Sequence, residues 1–251
     1  MEKLSVVIIT FNEERNIERC LKSVQEVADE IIIIDSNSTD KTLDICHKYN
    51  TTIFQQKWLG YSEQKNFGNN KANFNYILSL DADELLSDTL KQSILELKEK
   101  GFKGAYQFNR LNNYCGKWIH HSSWYPDKKL RLWNKKEGQW QGDIHETVVF
   151  PNTTDITHLK GDLLHYSISS IEEHINVINK FSSIKAQALF EKGKKSNLLK
   201  LHLKPFIKFF ITYVLKRGFL DGYYGFIISK NSAFSDYLKY VKLRELYKNE
   251  A

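Results

Sequence analysis

Acidic residues follow apolar runs at two places in the first third of the chain, where a carboxylate could hold a ligand or a metal ion. Asp81 and Asp83 lie in Leu80-Asp-Ala-Asp-Glu84, and Asp35 ends the run Glu30-Ile-Ile-Ile-Ile-Asp35. Alternate residues of an extended chain point to the same side, so Asp81 and Asp83 would repel each other unless a hard divalent cation lay between them. The pair therefore predicts a site for Mg²⁺ or Mn²⁺ that keeps coordination positions open for phosphate oxygens.

The same acidic pair also has a purely structural interpretation. Asp83 and Glu84 precede an apolar run with helical spacing, so either carboxylate could cap the N-terminus of a helix. A single Asp-x-Asp would favour the cap. The second acidic strand end, at Asp35, favours a ligand site, because ligands of open α/β sheets bind at the carboxyl ends of the strands.

Short apolar strands alternate with helical patterns in this part of the chain. The predicted strands are Leu4–Thr10, Glu30–Asp35, Thr52–Gln55 and Tyr76–Leu80. Asn12 is predicted to cap the first helix, Thr39 or Asp40 opens the second, and a third spans residues 63–73. This order predicts an α/β fold with a mostly parallel, Rossmann-like sheet flanked by helices.

The pattern changes after residue 100. Residues 105–166 are rich in Trp, Tyr, His and Gly, and pieces such as Lys129–Trp133 predict irregular strands that line a pocket. After Ser167 the pattern is helical, and Ser170-Ile-Glu-Glu173 has the spacing of a capping box. The predicted helices run to Lys192, from about Leu198 to Lys216, and from Ser235 to Tyr247.

Composition excludes several classes of protein. The chain has 251 residues, 41% of them hydrophobic, with 15 Phe, 13 Tyr and 5 Trp, which excludes a disordered chain. Its three cysteines form no Cys-x-x-Cys pair, so a zinc ribbon and a disulfide scaffold are disfavoured. No secretory signal or spanning run of roughly 18 apolar residues is evident, so we expect a cytoplasmic protein or one attached to a membrane from the cytoplasmic side.

Positive charge is concentrated near the end of the chain. The net charge is +6, but residues 192–217 contain eight Lys or Arg and no acid, which leaves −2 for the rest. Lys200, Lys204 and Lys208 form one stripe of a helix that also carries large apolar residues. Residues 198–217 therefore predict peripheral contact with an anionic membrane, and the alternative is a helix packed on the sheet domain with a solvated lysine edge. No nucleic-acid-binding motif accompanies this charge, so nucleic acid is not an expected partner.

Four segments together resemble the successive motifs of family 2 glycosyltransferases. They are Ser5-Val-Val-Ile-Ile-Thr-Phe-Asn-Glu13, Ile33-Ile-Asp-Ser-Asn-Ser-Thr-Asp40, Gln64-Lys-Asn66 and Leu80-Asp-Ala-Asp-Glu84. The likeness continues to Gly142-Asp-Ile-His-Glu146 and His165-Tyr166, in the manner of the bacterial subgroup that builds lipopolysaccharide cores and other surface glycans. The resemblance implies the GT-A fold, with a catalytic domain over 1–167 (nucleotide-binding half 1–100, acceptor half 101–167) and a C-terminal helical extension over 168–251.

The resemblance also implies roles for individual residues. Thr10, Phe11 and Glu13 would contact the base or ribose of the donor, Asp35 its nucleoside, and Asp81 its ribose or sugar. Asp83 would bind the metal on the diphosphate, and His165 would complete the metal shell unless it is structural. Lys65 would lie near the donor unless it is an exposed helix residue. Arg131 would reach a phosphate unless it is a solvated strand charge.

A general base is needed to activate the acceptor hydroxyl. The family position favours Glu146, with Asp143 second unless it is a turn residue. His145 either donates to backbone or contacts the acceptor, and the sequence does not separate the two.

The resulting hypothesis is an inverting, metal-dependent hexosyltransferase. It would take a sugar from a nucleotide-diphosphate donor, in this case a UDP-linked sugar. The acceptor would be a bacterial surface glycan such as lipopolysaccharide core or a lipid-linked precursor. A nucleotidyltransferase is disfavoured because it carries a Gly-rich loop where this chain has Thr10-Phe-Asn-Glu-Glu14. The remaining alternative is a catalytically inactive protein that binds nucleotide sugars or serves as a scaffold.

Overall fold

The computed structural model describes residues 2–142 and 146–249. The chain forms two compact units. The first comprises Met1–Arg110 and Asp127–Tyr166, and the second comprises Leu111–Pro126 and Ser167–Ala251. Asp143 and His145, two of the predicted site residues, lie outside the described residues.

The secondary structure follows a β-α alternation that gives way to strands and then to helices. The strands are β1 (Leu4–Thr10), β2 (Glu30–Asp35), β3 (Thr52–Gln55), β4 (Tyr76–Asp81), β5 (Glu84–Leu86), β6 (Ala105–Tyr114), β7 (Lys117–Ile119), β8 (Asp127–Asn134), β9 (Gln139–Gln141), β10 (Thr147–Val149) and β11 (Ile156–Ile168). The helices are α1 (Ile17–Val24), α2 (Thr42–Cys46), α3 (Tyr61–Lys71), α4 (Asp88–Lys100), α5 (Ile171–Glu191), α6 (Leu198–Phe210) and α7 (Gly222–Asn249).

The predicted α/β class is confirmed. The main sheet has the strand order β3-β2-β1-β4-β8-β6-β11-β5, and the first four of these strands are parallel. The later part of the sheet contains antiparallel pairs. Strand β8 pairs in this way with β4 and with β6, and β5 pairs in this way with β11. The parallel half is thus the part that helices connect, because a parallel pair requires a crossover and an antiparallel pair does not.

Strand β1 lies at the centre of the parallel half, and all seven of its residues are buried. Its alternate side chains enter two separate apolar clusters: Leu4, Val6 and Ile8 contribute to one, and Val7 and Ile9 to the other. Both faces of the sheet are therefore covered, which explains why β1 and β2 have continuous apolar sequences instead of alternating ones.

Helix α3 packs closely on the sheet at Gly68. A Cβ atom there would lie 2.6 Å from Cγ1 of Val7 and 2.7 Å from Cγ1 of Ile34, so only glycine permits this approach. Lys65, almost one turn earlier, lies on the same side of the helix. The close packing therefore fixes the height of Lys65 above the ends of the strands.

The predicted cap of the first helix was wrong, and the alternative in which Asp83 or Glu84 caps a helix does not hold either. Asn12 does not cap α1, whose N-cap residue is Asn16; Asn12 instead has φ +54° and bonds to the loop after β2. Asp83 and Glu84 do not cap the helix that follows them, because Ser87 accepts the N–H of Leu90 and Glu84 is already in β5. The acidic pair is thereby left available for other contacts.

The second unit is mainly helical. Ser170 accepts the N–H of Glu173 at the start of α5, as the capping-box spacing predicted. The predicted helix over 198–216 ends as an α-helix at Phe210, and a π-helical turn over Ile211–Leu215 follows. A 3₁₀ turn over Gly218–Asp221 leads into α7, which begins thirteen residues before the predicted Ser235. Across the described residues, none of the helices has the length and apolar character needed to span a bilayer.

Candidate functional site

The ends of three neighbouring strands bring the predicted acidic residues to one edge of the sheet. In the parallel register Thr10 lies opposite Asp35, and Ile9 lies opposite Asp81. Asp83 follows two residues after Asp81. The four polar positions therefore share the edge at which ligands of open α/β sheets bind.

Asp35 organises the loop at one end of this edge. Its carboxylate is buried and accepts the N–H of Ser38 (2.9 Å) and the Ser38 hydroxyl (2.5 Å). Asn12 donates its N–H to the same hydroxyl (2.9 Å) and accepts the N–H of Thr39 (2.8 Å). The loops that follow β1 and β2 are thus tied together, which makes a preformed wall beside the strand ends.

Three residues at the end of β1 and just after it have contrasting environments. The hydroxyl of Thr10 is buried and has no hydrogen-bond partner among the described residues, so it has capacity to bond a ligand. Phe11 is exposed. Burial raises the pKa of Glu13; a hydrogen bond from Asn16 opposes this, and the Asp83 carboxylate adds to it. Glu13 therefore lies within electrostatic reach of the acidic pair.

A buried ammonium group joins two of the predicted carboxylates. The Nζ atom of Lys65 lies 3.0 Å from Oδ1 of Asp81 and 2.9 Å from Oε1 of Glu146. The Lys65 side chain is fully buried, so it is not the exposed helix residue of the alternative interpretation. Asp81 and Glu146, which are 65 residues apart in the sequence, are held together by this one cation.

Arg131 extends the network on the other side of Asp81. Its guanidinium is almost fully buried, 2.7 Å from Oε1 of Glu84 and 3.1 Å from Oδ2 of Asp81. Arg131 is therefore not a solvated strand charge, because its guanidinium is buried and pairs with both carboxylates. Burial alone would raise the pKa of Asp81, but the Lys65 ammonium and the Arg131 guanidinium hold it well below its usual range. Asp81 is consequently a fixed negative charge.

Asp83 has a different partner. Its Oδ2 atom lies 3.1 Å from Nε2 of His165, and both side chains are partly exposed. His165 reaches this place because β11 pairs with β5 so that His165 lies opposite Glu84. A carboxylate and an imidazole side by side are two ligands that a divalent cation accepts. Within 2–142 and 146–249 no group of three or more His, Cys, Asp or Glu residues is arranged to hold a metal.

Sequence reasoning did not predict that Asn66 and Trp140 support Lys65 and Arg131. Asn66 bonds both the N–H and the C=O of Trp140 (2.9 Å each). The Trp140 ring then lies 4.7 Å from Nζ of Lys65 and 5.4 Å from Cζ of Arg131, in the range of cation–π contacts. Asn66 lay in a recognised motif, but nothing in the sequence indicated its partner.

Tyr61 and a neighbouring cavity were also missed. Burial raises the pKa of Tyr61, and the carboxylates of Asp81 and Glu146 raise it further, which places this half-exposed phenol near the acidic cluster. Beside it is a cavity of about 240 Å³. The residues that line the cavity are Leu59, Gly60, Ser62, Glu63, Asn66, Gln139, Trp140, Gln141 and Gly142. Most of this lining is polar, which suits a ligand with many hydroxyl groups.

Chemically, the edge combines three kinds of group. It has a rigid anion (Asp81), a carboxylate–imidazole pair (Asp83 and His165), and a partly exposed carboxylate (Glu146) that a lysine holds in place. The arrangement can bind a cation with its attached phosphate and can accept a proton from a nearby hydroxyl.

Comparisons with known proteins show a family and several relatives that this chain resembles. Residues 5–154 match the family described as Glycosyl transferase family 2. An uncharacterised glycosyltransferase of Rickettsia typhi is 35% identical over 98% of this chain and 88% of its own length. The lipopolysaccharide core biosynthesis glycosyltransferase LpsC of Rhizobium meliloti is 29% identical over 96% of this chain and 91% of its own. Among solved structures, S. aureus TarS in complex with UDP aligns over 99% of this chain and 92% of its own, with 16% identity and a TM-score of 0.48.

Proposed function

Because the chain belongs to glycosyl transferase family 2, we propose that it moves a hexosyl group from a UDP-linked sugar to a hydroxyl of a bacterial surface glycan. The acceptor would be lipopolysaccharide core or a lipid-linked precursor, and the likeness to LpsC supports this choice. The observation that carries the proposal is the meeting of Asp81 and Glu146 on the buried Lys65, at the strand end from which Asp83 also emerges.

The donor is proposed to lie along the strand ends. Thr10, Phe11, Glu13 and Asp35 would hold the nucleoside, because the free Thr10 hydroxyl and the preformed Asp35 loop are adjacent there. Asp81 and Lys65 would face the sugar-phosphate part. Arg131 would serve the donor through Asp81, since its guanidinium is committed to Asp81 and Glu84.

A divalent cation, Mg²⁺ or Mn²⁺, is proposed to bind at Asp83 and His165. The pairing of the two side chains at 3.1 Å and their partial exposure support this assignment. When bound, such an ion would neutralise charge that develops on the diphosphate leaving group. The imidazole ligand favours Mn²⁺ over Mg²⁺.

Glu146 is proposed as the general base. It would take the proton from the acceptor hydroxyl as that oxygen attacks the anomeric carbon, in a single displacement that inverts the configuration. Lys65 supports the role because its ammonium, 2.9 Å from Oε1 of Glu146, keeps that carboxylate in place next to the donor. Asp143, the second choice, lies outside the described residues.

We also propose that the enzyme works at the cytoplasmic face of the inner membrane, through peripheral contact by residues 198–217, and that nucleic acid is not a partner. The membrane contact is supported by the charge of this segment, with eight Lys or Arg from residue 192 to 217 and no acid, and the exclusion of nucleic acid by the lack of a recognised binding motif. A membrane location would suit a lipid-linked acceptor.

The first experiment tests the donor and metal site. UDP with Mn²⁺ is added to the purified protein, and the midpoint of thermal unfolding is measured. A ligand at about 100 times its Kd adds ~2.7 kcal/mol of stability, so the midpoint should rise clearly. Asp83→Asn should lose the manganese-dependent part of the rise. Asp88→Asn, which changes an exposed carboxylate, is the matched control and should keep it. Equal responses from both variants would contradict the metal assignment.

The second experiment separates catalysis from binding. UDP release from donor sugars is followed with and without bacterial envelope glycans as acceptor. Glu146→Gln should lower kcat by roughly 10²–10⁴-fold, the range expected for loss of a general base, and should leave the thermal response to UDP unchanged. Glu99→Gln, at an exposed helix position, should have wild-type activity. A wild-type protein that binds UDP-sugars and never releases UDP would instead be an inactive binding protein.

A further inference from the structure

Helix α6 presents an apolar surface to solvent. None of its thirteen residues is buried, and all of them lie in the described part of the chain. Leu199 and Phe206 are 66% and 68% exposed, and Leu203 and Phe210 are also exposed. Contiguous apolar surface of this kind is uncommon on soluble monomers and marks a site of interaction.

The spacing of these residues places them on one stripe. Leu199, Leu203, Phe206 and Phe210 follow one another at intervals of four, three and four residues, which keeps them within about 60° around the helix axis. The packed side of α6 is a different one. It carries the partly buried Leu201, Pro205 and Phe209, and the Phe209 ring contacts Phe226 of α7 at 5.9 Å. The exposed stripe is thus not used in the contact between α6 and α7.

Lysines flank the stripe on one side. Measured from Leu203 at the edge of the stripe, Lys200 lies about 60° further around the helix axis, Lys204 about 100° and Lys208 about 140°, so the lysine row borders the stripe at the N-terminal end of α6 and diverges from it toward Phe210. None of the three forms an ion pair with another described residue. Long lysine side chains in this position can extend to the level of lipid headgroups while the apolar stripe lies deeper.

Further apolar side chains are exposed beyond the end of α6. Leu215, Phe219 and Leu220, in the turns that lead into α7, and Tyr223, in its first turn, are all exposed. Between residues 192 and 235 the only acidic residue is Asp221. Its carboxylate is buried and accepts the N–H groups of His120 (3.2 Å) and His121 (2.9 Å), so it offers no negative charge to an approaching surface. The segment that carries these exposed apolar side chains is therefore cationic and has no exposed acidic residue of its own.

We propose that a composite surface, formed by the exposed stripe of α6 and the turn residues up to Tyr223, binds an anionic phospholipid bilayer with the α6 axis in the plane of the membrane. The positive charge of the surface favours an anionic bilayer over a second copy of the chain. A second copy of the chain would bring one strongly positive segment against another, which is unfavourable. A bilayer with anionic headgroups satisfies the lysines and the apolar stripe together. The inference deepens the peripheral contact proposed above and does not require that the protein be an active transferase.

Flotation of the full chain with lipid vesicles tests the proposal. The vesicles contain either phosphatidylcholine alone or phosphatidylcholine with phosphatidylglycerol. Wild-type protein should float with the anionic vesicles and only weakly with the neutral ones. The double variant Leu203→Ser/Phe206→Ser should bind at least tenfold more weakly. The triple variant Lys200→Gln/Lys204→Gln/Lys208→Gln should lose about fivefold per lysine on anionic vesicles only.

A matched control lies elsewhere in the same unit. Ile171→Ser/Ile175→Ser also removes two exposed apolar side chains one turn apart, in α5, and should float like the wild type. The proposal is overturned if wild-type protein stays in solution with both vesicles, or if the control variant loses binding equally. It is also overturned if the wild type is a dimer in solution that Leu203→Ser/Phe206→Ser converts to a monomer, because a second copy then covers the surface. The thermal response to UDP, measured on the same samples, shows separately whether the proposed function fails.

Discussion

The strand-end site and the α6 surface are exceptional in opposite ways. At the strand ends, charged side chains are buried: Lys65 and Glu84 are fully inaccessible, and Arg131 is nearly so. Each is paired with at least one opposite charge within 3.3 Å. On α6, apolar side chains are exposed, and the lysines beside them have no acidic partner among the described residues.

This contrast separates two kinds of functional surface. Buried charges rarely stabilise a fold more than apolar residues of similar volume would, because desolvation opposes their attraction. Exposed apolar residues also add little stability, since they remain in water. Neither region is therefore explained by folding alone. The strand-end site is suited to hold fixed charges near a ligand. The α6 surface is suited to bind a partner that shields its apolar side chains from water.

Breaking the strand-end network should have the largest effect on stability. Arg131→Met leaves the buried Glu84 and the Asp81 carboxylate with fewer cations, and removal of one partner of a buried ion pair costs about 3–5 kcal/mol. Urea unfolding followed by circular dichroism measures the change in the free energy of unfolding.

Lys129→Met is the control for this variant. Lys129 lies two residues earlier on β8, and its partly exposed ammonium pairs with Asp127 at 3.0 Å. Exposed pairs contribute about 0–1 kcal/mol, so this change should be small. If the two variants were equally destabilised, burial would not distinguish the two cations and the comparison of the two regions would lose its basis.

The sequence was sufficient to predict the parallel half of the sheet. Strands β1, β2 and β4 are continuous apolar runs that end in polar residues, and such runs arise when both faces of a strand are covered. Because parallel strands end at a common edge, the proximity of Asp35 and Asp81 followed directly. The helix caps could not be predicted in the same way. Asn12, Asp83 and Ser87 are all of residue types that suit an N-cap, and tertiary contacts decide which residue near each helix takes that position.

The partners within the site could not be predicted from local pattern. Lys65 meets Glu146 across 81 residues, and Arg131 meets Glu84 across 47. These contacts depend on the pairing of β8 with β4 and on the packing of β9 against α3, which no sequence periodicity records. The end of α6 was misplaced for a related reason: residues 211–215 keep a helical composition but form a π-helical turn, where contacts with the following turn and α7 override propensity.

A buried histidine in the second unit gives a pH effect of intermediate size. Burial lowers the pKa of His174 to about 4. Its Nδ1 atom is 2.8 Å from the Tyr114 hydroxyl and 2.9 Å from Nδ2 of Asn231, so the neutral ring accepts from these donors. The unfolded chain, with a pKa near 6.5, binds the proton more readily, and stability should fall as the pH is lowered from 7 toward 4.

The expected loss between pH 7 and pH 5 is about 2 kcal/mol from this residue alone. Urea unfolding at the two pH values measures it, and His174→Gln removes the titrating ring and should flatten the dependence by that amount. Other carboxylates and histidines titrate equally in both proteins, so the difference between them isolates His174. Parallel pH curves for wild type and variant would mean that His174 is not held neutral.

The smallest expected effect concerns the exposed stripe. Phe206→Ala should change the free energy of unfolding by no more than about 0.5 kcal/mol, the range of substitutions at exposed positions. Phe108→Ala, at a fully buried phenylalanine of β6, should cost about 3–5 kcal/mol under the same conditions. If Phe206→Ala instead destabilised the protein by more than 1 kcal/mol, the ring would be packed against the fold in solution, and α6 would be held by internal contacts. A neutral result shows that the phenylalanine contributes nothing to folding, so its place among the lysines is to be explained by what α6 binds.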